Sequence, residues 1–247
     1  MCIRDSCTTD FSDIGGATNA TYDPPAGLTD TTYYRVIVNS VNAGCSTGNC
    51  ADTSNYISVF VLACDWGDLP DVTSSTGTDD YQTTSVNNGP VHIIVPGLNL
   101  GSTVDGELDG QASTDALGDG ADEDGLTIYE SLDIAPGSIF RLPFSYTNTT
   151  GNPAEIEAWI DWNNNGEFDA GEMIFDETNP SDPYIEVTVP NDAVIGEFLG
   201  LRIRISHQDN MTPYGLMSEG EVEDYLIGLE CPNQICIPIN LTIEREE

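Results

Sequence analysis

A chain of 247 residues, 39% of them hydrophobic and including three Trp and ten Tyr, can build two ordinary domain cores, so disorder is not its default. Its 42 acidic residues face six basic ones, all Arg because the sequence contains no Lys; the formal net charge of −36 makes nucleic acid and anionic membranes poor partners. No run is long or apolar enough to insert into a membrane as a helix. Two roles compete for the carboxylates: a solvated acidic surface, or oxygen ligands for a hard cation such as Ca2+.

Residues 1–6 (MCIRDS) resemble the translated end of a sequencing-library adaptor and are expected to lie outside the native protein. That expectation implies a truncated reading frame whose leader is not visible. Setting Cys2 aside leaves six cysteines, an even count that fits an oxidising compartment. Cys45 with Cys50 and Cys231 with Cys236 share one spacing, which allows two local disulfides or one zinc site. Disulfides are favoured, because no His or further Cys lies near either pair.

Helical periodicity is scarce, and short alternating runs bounded by Gly, Pro, Asn and Asp recur, which predicts an all-β protein. In residues 7–63 the runs Tyr33 to Val38 and Tyr56 to Leu62 predict two strands. Asp30, Tyr34 and Val36 have the spacing found where an immunoglobulin strand F begins, with Val36 in place of the usual cysteine and Tyr34 the candidate for the tyrosine-corner hydrogen bond. The string FSDIGGATNATYDPPAGLTDTTYYRVIVNS resembles the immunoglobulin-like repeats of large bacterial surface proteins, with the early strands missing. Gly44 to Gly48 fits a nucleophile-elbow pattern, but it sits between two strands, where that motif needs a strand-to-helix turn.

A boundary follows near Cys64. Beyond it, strands are predicted at Ile139 to Tyr146, Ile156 to Trp162, Ile185 to Val189 and Leu199 to Ile205. In the last, Leu199, Leu201, Ile203 and Ile205 face one side, and Arg202 and Arg204 the other. The blocks DWGDLPD (65–71), DGELDGQASTDALGDGADEDG (105–125), DWNNNGEFDAGE (161–172) and GEVEDY (220–225) resemble the family of bacterial extracellular modules named for its GEVED motif. His92 in GPVHIIV suits that pattern too. The resemblance implies a jelly-roll-like β-sandwich over 64–230 and does not imply a reaction; residues 231–247, with a new apolar run (IPINLTI), are expected to start a further segment or form a tail.

Asp161, Asn163, Asn165, Gly166, Glu167, Asp169 and Glu172 meet every position of an EF-hand calcium loop, with Glu167 offering its carbonyl and Glu172 both side-chain oxygens. Strand-like flanks predict a β-hairpin around it; a polar Asn-Gly turn with solvated acids is the plainer alternative. A second metal site is a candidate at Asp105, Asp109, Asp119, Asp122 and Asp124, where Asp115 and Glu123 add to the same acidic loop and like charges would repel one another unless a cation gathers them. In the last block Glu221, Glu223 and Asp224 are expected to accept hydrogen bonds from Arg202 and Arg204, the two glutamates sharing a face opposite Val222.

These readings predict a calcium-stabilised, non-catalytic structural or adhesive module of a secreted or cell-surface bacterial protein. Its partners would be neighbouring repeats and an extracellular glycan or protein. The alternative is an accessory carbohydrate-binding module of a secreted hydrolase, with Trp66, Trp159 and Trp162 as candidate sugar platforms.

Overall fold

The computed structural model describes residues 63–120, 122–128, 132–133 and 135–230, and in the earlier part residues 2–4, 12–15, 19, 21–22, 32–40, 50–54 and 57–59. The chain divides into two compact units, residues 1–62 and 63–247. Among the described residues no helix is long and apolar enough to cross a membrane, and the helical element is a 3-10 turn at Ser85–Asn87.

The first unit contains β1 (Cys2–Arg4), β2 (Ser12–Asp13), β3 (Thr32–Arg35), β4 (Ile37–Ser40), β5 (Cys50–Thr53) and β6 (Ile57–Val59). They form a sheet in the order β2-β1-β3-β6 and a separate β4-β5 pair. Cys2–Arg4, from the segment set aside on sequence, pairs antiparallel with β3. The run predicted at Tyr33 to Val38 is divided at Val36, whose amide donates to Ser54 Oγ at 2.9 Å and whose carbonyl accepts from the Ser54 amide. Tyr34 is buried, with its ring 5.7 Å from that of Tyr22. Its hydroxyl has no hydrogen-bond partner among the described residues, so the tyrosine-corner bond expected of it is not formed there. Cys45, Cys231, Cys236 and residues 44–48 lie outside the described residues, as does the side chain of Cys50.

The second unit contains β7 (Cys64–Trp66), β8 (Val91–Ile93), β9 (Leu98–Leu100), β10 (Leu132–Asp133), β11 (Ile139–Pro143), β12 (Tyr146–Asn148), β13 (Glu155–Ile160), β14 (Met173–Thr178), β15 (Tyr184–Thr188), β16 (Phe198–Ser206), β17 (Leu216–Met217) and β18 (Glu221–Glu230). The main sheet runs β10-β18-β16-β13-β14, antiparallel except where β10 meets β18. Strand alternation turns Ile156, Ala158 and Ile160 of β13, and Leu199, Leu201, Ile203 and Ile205 of β16, to one face. There they pack with Ile227 and Leu229 of β18 against Phe140, Leu142, Ile185 and Val187 of the β11-β15 pair and Leu98 and Leu100 of β9. Each fully buried Leu or Ile stabilises by about 1.5–3 kcal/mol. The result is the sandwich expected of an all-β chain.

The opposite face of the same sheet is also covered. Trp159 of β13 joins Leu69, Tyr81, Ala116, Phe168 and Met211 in a smaller core, and the three-stranded sheet β17-β8-β7 belongs to the same covering layer. Gly200 is required in β16: a Cβ there would lie 2.7 Å from the Tyr81 ring, whose hydroxyl accepts the Gly200 amide at 2.9 Å. This doubly covered sheet places charged side chains out of water, and the candidate site is built from them.

Candidate metal centre

Arg202 and Arg204 are both fully buried on the second face. Arg202 donates Nε to Asp224 Oδ1 and Nη2 to Asp224 Oδ2, both at 2.7 Å, and Nη1 to the carbonyls of Gln82 and Pro213. The fork matches the carboxylate, the geometry in which Arg pairing is strongest. Asp224 Oδ2 also accepts the Asp68 and Leu69 amides, so one carboxylate ties the DWGDLPD block to the sheet. Gly67 fits because a Cβ there would fall 2.2 Å from that oxygen.

Arg204 has no carboxylate partner. Its Nε donates to His92 Nε2 at 2.8 Å, and its Nη groups donate to the carbonyls of Thr212, Tyr214, Val91 and Gly215. Burial pushes its pKa down to about 9. Because Arg204 donates to Nε2, His92 carries its proton on Nδ1 and gives it to the Glu219 carbonyl at 2.9 Å. Burial and the neighbouring guanidinium hold His92 well below the usual imidazole range.

The expected pairing of Glu221 and Glu223 with the two arginines is corrected by register. In the β16-β18 ladder Arg202 lies opposite Asp224 and Arg204 opposite Val222, whereas Glu223 and Glu221 lie opposite Ile203 and Ile205. Directly opposed residues share a face, so the two glutamates point to the side away from the arginines. Glu221 accepts the Leu100 amide, and Glu223 accepts the amides of Asp124 and Gly125 and the Tyr225 hydroxyl. Burial raises Glu221 to about 11 and Glu223 to about 8. The GEVED acids thus act as loop clamps, Glu223 on the acidic stretch and Asp224 on the 67–69 turn.

That acidic stretch brings Asp105, Glu107, Asp119 and Asp122 together, each offering one oxygen within 4.8 Å of the others. Asp105, Asp119 and Asp122 are among the residues singled out in the sequence. Glu107 is an addition that the search for aspartate spacing passes over. Asp109 and Asp124 do not converge with them: Asp109 accepts the amide and hydroxyl of Ser85, and Asp124 those of Ser102. Short side chains that can satisfy nearby loop donors are diverted to that work.

The ion pairs Arg141–Glu186 and Arg202–Asp224 involve other carboxylates. Burial, with the neighbouring acids, raises Glu107 to about 9 and Asp119 to about 7 and lifts Asp122 as well. Asp68, whose Oδ2 accepts the Asp119 amide, is raised to about 8 by burial and by Asp224. Asp68 Oδ1, Asp119 Oδ1 and Glu123 Oε1 are buried with no hydrogen-bond partner among the described residues. A buried oxygen without a donor costs about 1–3 kcal/mol. Calcium holds six to eight oxygens at about 2.3–2.6 Å, so ligands on opposite sides of an ion lie about 4.8 Å apart, the spread of this cluster.

The Asp161 to Glu172 loop follows β13 and precedes β14, which makes it the hairpin that the flanks predict. Asp161 is fully buried and accepts the Asn165 and Gly166 amides at 3.1 and 2.8 Å. Gly166 has φ +80, and a Cβ on it would meet the Gly77 carbonyl at 2.2 Å, so only glycine fits. Glu172 Oε1 accepts the Trp162 amide and Oε2 the Asp169 amide. The Asn163 and Asn165 amides both reach Asp169 Oδ2, at 3.2 and 3.0 Å, and Asn163 also reaches Glu172. Four of the predicted ligand side chains therefore meet. A half-turn of the two amides presents oxygens instead of nitrogens to the same point. The Glu167 side chain leaves the loop to accept from Thr76 Oγ1, consistent with a ligand role for its carbonyl alone. The carboxylates of Asp161, Asp169 and Glu172 do not converge as closely as the Asp119 cluster does.

The fold and site define an all-β sandwich module whose main sheet is covered on both faces and whose connecting loops carry clustered acids. Residues 155–228, from β13 into β18, match the model of the GEVED domain family, and the second unit carries that domain. Residues 4–63 match a domain of unknown function, DUF8696. No curated protein matches the chain.

Proposed function

We propose that the second unit is a calcium-stabilised, non-catalytic structural or adhesive module of a secreted or cell-surface protein. The observation that carries this reading is the convergence of Asp105, Glu107, Asp119 and Asp122 within 4.8 Å, beside buried oxygens that lack donors. A Ca2+ ion there would take the four carboxylates and relieve the orphaned Asp119 oxygen. A second ion would sit in the 161–172 loop, on Asp161, Asn163, Asn165, the Glu167 carbonyl, Asp169 and Glu172. Affinity is expected at about 10⁻⁴ to 10⁻³ M, the range of extracellular modules. A secreted, adhesive role fits the acidic composition, and partners would be neighbouring repeats or an extracellular ligand.

The non-catalytic reading draws on both histidines. His92 is buried with Nε2 taken by Arg204, and His207, whose Nδ1 donates to the Pro153 carbonyl, keeps its Nε2 buried away from solvent. The carbohydrate-binding alternative is left with one half-buried platform, Trp66, since Trp159 and Trp162 are 3% and 5% exposed.

The test is thermal unfolding of the full chain in millimolar calcium and in excess chelator. The melting temperature of the second unit is expected to rise with calcium, and the rise to shrink in Asp119→Asn and in Asp161→Ala. Equal melting in both conditions would leave the acids as a solvated surface and end the calcium reading.

A further inference from the structure

A third group of acids lies on the main sheet, outside both loops described above. Glu157 of β13 stands directly across from Asp176 of β14, and Asp209 reaches the same point from the loop that follows β16. One carboxylate oxygen of each lies within 4.8 Å of the others. Asp176 and Asp209 are exposed and open to water. Glu157 is 1% exposed, which is unusual for a glutamate without a cationic partner.

The hydrogen bonds of Glu157 make it the decisive member. Its Oε1 accepts the Met211 amide at 2.8 Å, while its Oε2 is buried without any donor. The obvious counter-charge is Arg204, opposite Glu157 on β16. Arg204 acts on Glu157 through its charge alone and gives it no hydrogen bond, because its Nε is given to His92 and its Nη groups to four backbone carbonyls. Asp176 and Asp209 bring further negative charge rather than donors. A buried carboxylate with one oxygen lacking a donor, clustered with two further acids and with the nearest guanidinium hydrogen-bonded elsewhere, favours a bound cation.

We infer that Glu157, Asp176 and Asp209 form a separate divalent-cation site of calcium type, open to solvent on one side and completed by water. Its structural role follows from the loop it would fasten. The same loop supplies the carbonyls of Thr212, Pro213, Tyr214 and Gly215 that hold Arg202 and Arg204, and the Met211 side chain that enters the second-face core. An ion joining Asp209 to β13 and to the edge strand β14 would fix that loop over the buried arginines. Two exposed ligands and few protein oxygens predict weaker binding than at the Asp119 cluster, and preference for calcium over magnesium, which demands a tighter octahedron. The inference does not depend on the Asp119 centre.

The test compares the full chain with the double variant Asp176→Asn/Asp209→Asn and with Glu157→Gln, by calorimetric titration with CaCl2 and by amide hydrogen exchange of residues 207–215. Wild type is expected to bind one more ion than either variant and to slow exchange in this loop at least severalfold on calcium addition; the variants are expected to show no such slowing. Glu157→Gln, which supplies an amide donor towards the two aspartates, is expected to melt higher than wild type in chelator, a reversal that simple loss of packing would not produce. Asp119→Asn is expected to keep the loop response, which separates failure here from failure at the other centre. Unchanged stoichiometry together with unchanged loop exchange would overturn the inference and leave an orphaned oxygen served by water alone.

Discussion

Within one short motif, chemically similar carboxylates do opposite work, and burial with hydrogen bonding decides which. Asp224 faces a forked guanidinium and two backbone amides, so its charge is used fully. Asp224→Asn removes the partner of the fully buried Arg202 and is expected to cost about 3–5 kcal/mol, measured by chemical denaturation. Glu221, three residues earlier, accepts one amide and has acidic neighbours, and burial raises its pKa to about 11. A carboxyl whose native pKa lies above its unfolded value stabilises only where it is protonated, and that contribution is lost as pH rises through the native value. Glu221→Gln imitates the protonated form and still accepts from Leu100, so its stability at pH 8 is expected to equal or exceed that of wild type. The sequence announces that these acids alternate across a strand, and Glu221 and Glu223 do share a face as their spacing requires. It does not announce which face meets the arginines, because a one-residue shift of register exchanges the two.

Among the elements, the strands with clean alternation are legible: the run Leu199 to Ile205 lies within Phe198–Ser206, and Ile185 to Val189 overlaps Tyr184–Thr188. The covering layer is less so, since β7, β8 and β17 are two or three residues each and owe their position to the sheet beneath. For the same reason the partnership of His92 with Arg204 joins residues over a hundred positions apart and leaves no local pattern. That partnership sets a pH response. With its native pKa depressed, His92 refuses a proton that the unfolded chain accepts below about pH 6.5, so its contribution falls as pH drops through that value. The loss is expected to approach about 1.4 kcal/mol per pH unit below that point. The raised carboxylates act in the opposite sense, and the His92 term is isolated as the difference between wild type and His92→Gln in saturating calcium. The variant is expected to be less stable at pH 7.5, with the gap narrowing towards pH 5. A gap independent of pH would show that His92 takes up its proton in the fold as it does in the unfolded chain.

For the whole molecule, the formal charge of −36 sets two electrostatic effects against each other. Diffuse repulsion between exposed acids is screened by any salt, with a Debye length of about 3 Å at 1 M. Repulsion inside a cluster such as Asp105, Glu107, Asp119 and Asp122, where Asp122 is buried and Glu107 and Asp119 are half-buried, is screened less by mobile ions and is cancelled best by an ion within the cluster. Sodium chloride is therefore expected to raise the melting temperature of the chelated protein in a gradual, saturating manner. Calcium is expected to add a further step at millimolar concentration that survives in 1 M NaCl. With a dissociation constant of about 10⁻⁴ M and about 2 mM calcium, one site contributes about 1.8 kcal/mol, which for a domain of this size is about 4–7 °C. Scanning calorimetry with the two salts varied independently separates the contributions. If sodium chloride alone reproduces the full rise, screening of a solvated surface accounts for the charge; a calcium step undiminished by salt requires ions bound among the clustered acids.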